Sequence, residues 1–339
     1  MASTVITAAA SIIIFTLMVF SHEFGHFFAA KKSGVTVEEF SIGMGPKIMS
    51  WGRKGTRYSL RVFPIGGYVK MLGEEEKAKG EGAYYSKPLG KRMAIILAGP
   101  VMNIILAILL FSIIFYIVGT PTTVIDKVME GYPAEKSGIR PGDRVVYIND
   151  QRVESWEKLQ LLVSASKGER MRVTVSREGQ TIAFDVFPVN DPETGQSIIG
   201  ITPVAGKSVA GSVRLGIKRS FEVIGLMVSY LGQLVTGRAS AEDVVGAVGV
   251  IQLVNQAAKT GILNVMFLAA FLSLNLGVIN LLPIPALDGG KMVFLLLEGV
   301  RGKPIDIEKE GLIHFIGFVF LILLIIMITW RDISRFNLF

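Results

Sequence analysis

Ser21-His22-Glu23-Phe24-Gly25-His26 places two imidazoles and a carboxylate within six residues. On a helix His22 and His26 fall about 40° apart around the axis, so both rings can grip one metal ion while Glu23 beside them handles a water's proton. The chemistry such a set supports is metal-assisted hydrolysis, with zinc as the ion that suits these ligands. The chain holds only 3 histidines, and two of them stand here, which makes a chance match a poor account. A catalytic zinc takes three protein ligands and keeps one position open. With no cysteine in the chain, the third ligand must be another imidazole or a carboxylate. Asp288, in the run Asn280-Leu281-Leu282-Pro283-Ile284-Pro285-Ala286-Leu287-Asp288-Gly289-Gly290, is the best candidate. His314 is the alternative, but it has no partner at chelating spacing and reads as an interfacial histidine.

The surroundings of these residues are apolar. Ile12, Ile13, Ile14, Phe15, Leu17, Met18, Val19 and Phe20 lead directly into the histidine pair, and half of the 339 residues are hydrophobic with 19% charged. A chain of this composition cannot hide its apolar runs in one soluble core. The net charge of +7 is spread between the apolar runs rather than gathered in a stripe, so nucleic acid is not an expected partner. Residues 1–30 lack a charged leader and exceed the length of a signal peptide's apolar core, so they read as a retained span. Lys31, Lys32, Lys47, Arg53, Lys54, Arg57, Arg61, Lys70, Lys91 and Arg92 mark the following loop as cytoplasmic by the positive-inside rule. Residues 93–118 are long enough for a second span, an apolar run from Val265 for a third, and residues 312–330 for the last.

Residues 221–236 and 244–258 are short and interrupted by Ser229, Gln233, Gln252, Asn255 and Gln256. If just one of them crossed, Asp288 would end up roughly 30 Å from the histidine pair, a full hydrocarbon thickness. Both therefore read as interfacial helices. The expected organisation is residues 1–119 as two spans with a cytoplasmic loop, 120–207 as an extracytoplasmic domain, 208–260 as interfacial helices, and 261–339 as the last two spans. Two prolines and two glycines around Asp288 break the helix at membrane depth, where irregular backbone survives only against protein or a wet cavity. An acid in such a place is a functional candidate by default.

The first loop carries its own structure. Arg57 to Val62 alternates polar and apolar residues as a half-buried strand does, Pro64 and Gly66-Gly67 supply a turn, and Tyr68 to Met71 can return. This hairpin either plugs the helix bundle or offers an edge to an unwound substrate, with Ser59 and Arg61 on the pairing strand. The run from Gly73 to Gly82 reads as a solvated loop. Asn103, in Ala98-Gly99-Pro100-Val101-Met102-Asn103, either packs helices or contacts substrate.

Two resemblances follow from these motifs. Tyr132 to Asn149, with Pro133-Ala134-Glu135-Lys136-Ser137-Gly138-Ile139-Arg140-Pro141-Gly142-Asp143 at its centre, resembles the stretch that identifies a PDZ domain, which implies a groove for a peptide or protein terminus or a gate over the site. The histidine motif, the Phe40–Pro46 and Arg61–Met71 segments, Ala98–Asn103 and Asn280–Gly290 together resemble the site-2 protease family of intramembrane zinc metalloproteases, especially its bacterial sigma-E-regulating type. That resemblance implies a polytopic α-helical membrane protein of about four transmembrane helices, with a membrane-associated β-hairpin and an inserted mixed α/β PDZ domain. It implies His22, His26 and Asp288 as ligands of Zn2+, Glu23 as general base, and Asn280 as a contact to the substrate backbone. Single-pass membrane proteins, anti-sigma factors among them, are the implied substrates. The best-known bacterial members carry two PDZ copies, whereas one fits this chain. The rival class is a zinc transporter or sensor regulated by the PDZ-like domain. Transporters usually show internal repeats, each with a broken helix, and no repeat is found here.

Overall fold

The structure, a computed structural model, describes residues 2–74, 80–191, 195–238 and 245–335. The solvated loop expected over 73–82 thus falls partly outside the described residues, at 75–79. The chain divides into two compact units, Met1–Ile114 with Val213–Phe339, and Phe115–Ser212.

The first unit is helical, with one small sheet. Among the described residues, four helices are long and apolar enough to cross a membrane, over Ile6–Lys32, Leu89–Val118, Ile262–Asn280 and Ile307–Ser334. They belong to α1 (Ala2–Lys32), α2 (Leu89–Val118), α7 (Ile262–Asn280) and α9 (Ile307–Arg335). Long apolar runs rich in Leu, Ile and Val let each helix satisfy its backbone internally, as a hydrocarbon solvent demands, with Pro100 in α2 the exception. Helix α1 stops where Ser33 and Gly34 turn the chain, with Gly34 at φ 76° and the Val35 amide returning to the Ala30 carbonyl at 2.9 Å. Left-handed φ values of this kind favour glycine, which carries no Cβ to clash. Helices α5 (Val209–Val235), α6 (Ala247–Thr260) and α8 (Asp288–Arg301) accompany them among the described residues.

Strands β1 (Val37–Arg53) and β2 (Thr56–Met71) form a hairpin closed at Lys54 and Gly55, which adopt φ 48° and 75°, and not at the expected turn of Pro64 and Gly66-Gly67. Its register is more folded than alternation alone indicates. Glu39 to Ile42 pairs on one side with Gly67 to Lys70 and on the other with Arg57 to Leu60, and the latter segment also pairs with Met49 to Gly52. Tyr68 to Met71 therefore does not fold back onto Arg57 to Val62; the start of β1 lies between them. The inner end of this sheet packs into a core of Ala30, Val35, Val37, Met71, Tyr84, Ile95, Ile96 and Leu295. That core joins α1, β1, β2, α2 and α8, the elements that hold the charged residues.

The second unit is a mixed α/β domain. An antiparallel sheet in the order β10-β3-β4-β6-β7, with β5 beside β4, is built from β3 (Thr120–Val128), β4 (Arg144–Ile148), β5 (Gln151–Arg152), β6 (Met171–Arg177), β7 (Gln180–Val186) and β10 (Ile201–Gly206). A two-residue pair, β8 (Val189–Asn190) with β9 (Ser197–Ile198), and helices α3 (Pro133–Lys136) and α4 (Trp156–Ala165) accompany it. Alternation works as expected for a sheet with one buried face: Met171, Val173 and Val175 are fully buried with Ile125, Val145 and Val186. The Arg140–Asp143 turn of the PDZ-like motif has a structural role. Asp143 accepts from the Arg140 amide at 2.9 Å and from Arg177 through two bonds at 2.7 and 2.8 Å. Burial pushes its carboxyl up, but the Arg177 and Arg140 bonds more than offset this and hold it below the usual carboxylate range.

Candidate metal centre

The centre begins with the packing of α1 against α2. Gly25 and Gly99 are the points of closest approach: a Cβ on Gly25 would lie 2.1 Å from the Ala98 carbonyl oxygen, and one on Gly99 would lie 2.3 Å from His26 Nε2. The small residues of Ala98-Gly99-Pro100 thus make room for both imidazoles. Pro100, inside α2, has no N–H for the carbonyl one turn earlier and distorts the ladder there. One residue before the Ile96 carbonyl that Pro100 leaves without its helical partner, the Ile95 carbonyl accepts a bond from His26 Nδ1 at 2.8 Å. A carbonyl can only accept, so the His26 proton sits on Nδ1 and Nε2 turns inward with its lone pair.

Inward of the two rings, three donor atoms converge. His22 Nε2 and His26 Nε2 are 3.2 Å apart, and Asp288 Oδ2 lies 3.2 Å from the first and 3.4 Å from the second. A tetrahedral ion bound at about 2.0–2.1 Å requires ligand atoms about 3.3–3.4 Å apart, which matches all three separations. Asp288 Oδ2 is buried with no hydrogen-bond partner, an expensive state for a carboxylate unless a cation completes it. Among the described residues, His22, His26 and Asp288 are the one group of histidine and acidic side chains able to share an ion. The residues present therefore fit zinc, which is the cofactor.

Asp288 opens α8, where a carboxylate is favoured by the helix dipole. The loop before it is held from several sides. Ala286 takes φ 77°, a left-handed conformation that costs a residue with a Cβ roughly 1 kcal/mol, and its amide donates to His314 Nδ1 at 2.8 Å. Helix α8 is tied to α2 by Arg92, 4% exposed, which forks onto Glu298. Lys291 donates to Glu74 at 2.6 Å from the other side, and the Glu74 carboxylate, despite the cost of burying an ammonium, keeps Lys291 charged well above its usual range.

A cavity of about 300 Å³ opens over the centre, lined among others by His22, Glu23, His26, Asn280, Asp288 and Lys291. Tyr68, Val69 and Met71 of β2 also line it. This strand pairs with the start of β1 along one edge and, among the described residues, has no strand along the other.

The sequence candidates separate accordingly. Glu23, His22, His26, Asp288 and Asn280 share the cavity. Asn103 does not: it is fully buried behind His22, with Nδ2 3.3 Å from His22 Nδ1. Ser59 and Arg61 are also elsewhere. Ser59 lies on a segment paired on both sides and donates to Glu39 at 2.7 Å, while Arg61 bonds Glu39, Ser41, Gly45 and Tyr68. An inner strand has no free edge to offer, so the edge beside the cavity belongs to Tyr68–Met71 instead. His314 is no part of the ligand set and holds the Ala286 amide. The Ile95 carbonyl and Lys291 are the site groups that the sequence did not single out, whereas Tyr68–Met71 and His314 were noted for other tasks. Pro100 frees the neighbouring Ile96 carbonyl and not the one His26 uses.

Comparison with known proteins agrees with this geometry. The sequence matches peptidase family M50 over residues 10–324. It is 38% identical over 325 residues to a putative zinc metalloprotease of Clostridium acetobutylicum, covering 95% of this chain and 96% of that one. It is 32% identical, over an alignment 416 positions long, to the regulator of sigma-W protease RasP of Bacillus subtilis, covering 97% and 98% of the two chains. A probable protease, eep, of Enterococcus faecalis is 32% identical, covering 96% of this chain and 98% of that one. Among solved structures, the PDZ domain of an SdrC-like protein from Listeria monocytogenes is similar at 19% identity and a TM-score of 0.23, covering 25% of this chain and 88% of that one.

Proposed function

The chain belongs to peptidase family M50 and is a zinc metalloprotease with several membrane-crossing helices; from this premise we propose that it cleaves the transmembrane segments of single-pass membrane proteins, with His22, His26 and Asp288 holding the zinc and Glu23 as general base. The observation that carries this reading is the meeting of three donor atoms, 3.2–3.4 Å apart, in a cavity that Glu23 also lines.

Zinc held there supplies Lewis acidity, polarising the scissile carbonyl and lowering the pKa of water at the site. Glu23 takes a proton from the attacking water and delivers it to the leaving amine. Asn280 meets the substrate backbone. A helical peptide bond is shielded by its own hydrogen bonds, so the substrate must unwind before attack. The open edge at Tyr68–Met71 offers replacement backbone bonds to the extended segment, as strand addition does elsewhere. Anti-sigma factors are the substrate class, supported by the Bacillus subtilis relative's name as a regulator of sigma-W protease.

The basic residues of the first loop support an active site near the cytoplasmic face. Residues 120–207 then lie outside the cytoplasm as a PDZ domain that takes a peptide or protein terminus, with 208–260 at the interface. These assignments place the enzyme in a bacterial cell membrane.

The test is reconstitution in liposomes with a single-pass model substrate. Wild type cleaves it, a chelator stops cleavage and zinc restores it, while Glu23→Gln retains stoichiometric zinc and loses about 10²–10⁴-fold in rate. Retained cleavage in Glu23→Gln removes the base assignment. Zinc flux across the liposomes without cleavage assigns the centre to transport instead.

A further inference from the structure

Ligation by His22 through Nε2 fixes where its proton must go. The Nε2 lone pair has to face the ion, so the ring proton sits on Nδ1 and needs an acceptor. His26 meets the same requirement with the Ile95 main-chain carbonyl. Opposite His22 Nδ1 stands the Asn103 side chain, its Nδ2 at 3.3 Å, which would set one donor against another. The other amide atom, Asn103 Oδ1, is buried and has no hydrogen-bond partner. Nitrogen and oxygen of an amide exchange by a half-turn about its last side-chain bond, and which end points where follows from the hydrogen bonds available. Turned that way, Oδ1 accepts from His22 Nδ1–H, and Nδ2 takes the place where Oδ1 finds no donor.

Asn103 is otherwise well anchored. It is 0% exposed, its own carbonyl accepts from Ser273 on α7 at 2.8 Å, and its Cβ lies within close reach of Gly277. It lines no part of the cavity, so it cannot meet a substrate there. We propose that Asn103 is a positioning residue for the metal centre: its amide oxygen accepts the His22 Nδ1 proton and so fixes the tautomer and ring orientation that ligate zinc. Helix α2 then orients both histidines, one through a main-chain carbonyl that no substitution removes and one through a side chain that mutation can test.

This rests on His22 being a zinc ligand, and the experiment separates the two claims. Full-length wild type, Asn103→Leu, Asn103→Asp and His22→Ala are purified in detergent, and zinc affinity is measured by competition with a chromophoric chelator. Melting of each metal-free protein reports folding independently. Asn103→Leu keeps the γ-branched shape with bulkier ends and removes the acceptor, and its zinc affinity falls about 10–100-fold. Asn103→Asp keeps an acceptor oxygen and lacks the NH2 group, and it binds zinc at least as tightly as wild type. The cobalt-substituted spectrum shifts in Asn103→Leu and returns to the wild-type form in Asn103→Asp. Wild-type affinity in Asn103→Leu overturns the proposal, as does an Asn103→Asp protein whose affinity falls. Should Asn103→Leu melt far below wild type, Asn103→Asp alone decides. Unchanged zinc binding in His22→Ala instead removes the ligand assignment beneath it.

Discussion

His22 and His26 come from adjacent turns of one regular helix, whereas Asp288 follows a segment between α7 and α8, residues 281–287, that belongs to no helix or strand. The imidazoles need only the helical repeat to share a face, and α2 then sets their rotation. The carboxylate depends on contacts made far away in sequence: His314 on the Ala286 amide, Arg92 on Glu298 and Lys291 on Glu74. One arm of the centre is placed by local geometry and the other by neighbours. Damage to neighbours should therefore reach the metal by two routes, through the loop before Asp288 on one arm and through the α2 groups behind the imidazoles on the other.

The largest effect is expected from the ligands themselves. His22→Ala and Asp288→Ala should each lose stoichiometric zinc and slow proteolysis a thousandfold or more, roughly the several kcal/mol a Lewis acid contributes. Equal loss from both arms, read by metal analysis and peptide-bond cleavage, shows that they serve one ion; full zinc in Asp288→Ala would break the comparison. Next comes Arg92→Met, which leaves Glu298 without its partner and should lower unfolding stability by about 3 kcal/mol. Thermal unfolding in detergent measures it, and an unchanged midpoint would mean that α8 is held by packing alone.

His314→Ala sharpens the comparison further. It takes the acceptor from the Ala286 amide and should weaken zinc binding about tenfold through the loop arm. Ala286→Gly, which adopts a positive φ without the Cβ penalty, should recover part of that loss when combined with His314→Ala. Chelator competition on the four proteins of this cycle reads the coupling, and strict additivity would show that His314 does not act on the loop.

The smallest effect concerns the hairpin. Burial raises the Glu39 carboxyl, but bonds from Ser59, Tyr68, Arg61 and Lys47 outweigh this and hold its pKa at about 2. A carboxylate depressed on folding contributes stability that is fully present above its unfolded pKa and lost as pH falls through the folded value. Between about pH 4.5 and 2 the hairpin should therefore weaken by on the order of 1 kcal/mol, after allowance for screening at a partly exposed site. Glu39→Gln should lack this acid-dependent step. Proteolytic nicking near Lys54 and Gly55 as pH is lowered distinguishes the two proteins, and identical profiles would assign the acid response to other groups.

Much of this molecule is determined by residue order alone. The four spans follow from apolar runs that water cannot accommodate, the paired imidazoles from their four-residue offset on a helix, and the sheet core of the inserted domain from alternation at Met171, Val173 and Val175. The acid in a broken helix at membrane depth also marked Asp288, because such a group is too costly there without a task. Tertiary structure decided the remainder. No local pattern says that Glu39 to Ile42 inserts between the two halves of β2, and that insertion is why Tyr68–Met71 has the open edge while Ser59 and Arg61 turn to an internal network. Nor does spacing reveal that Asn103 stands behind His22, or that His314 braces Ala286 instead of binding the ion. Periodicity reports which side of an element is apolar; which atom ends opposite which depends on how elements remote in the chain pack together.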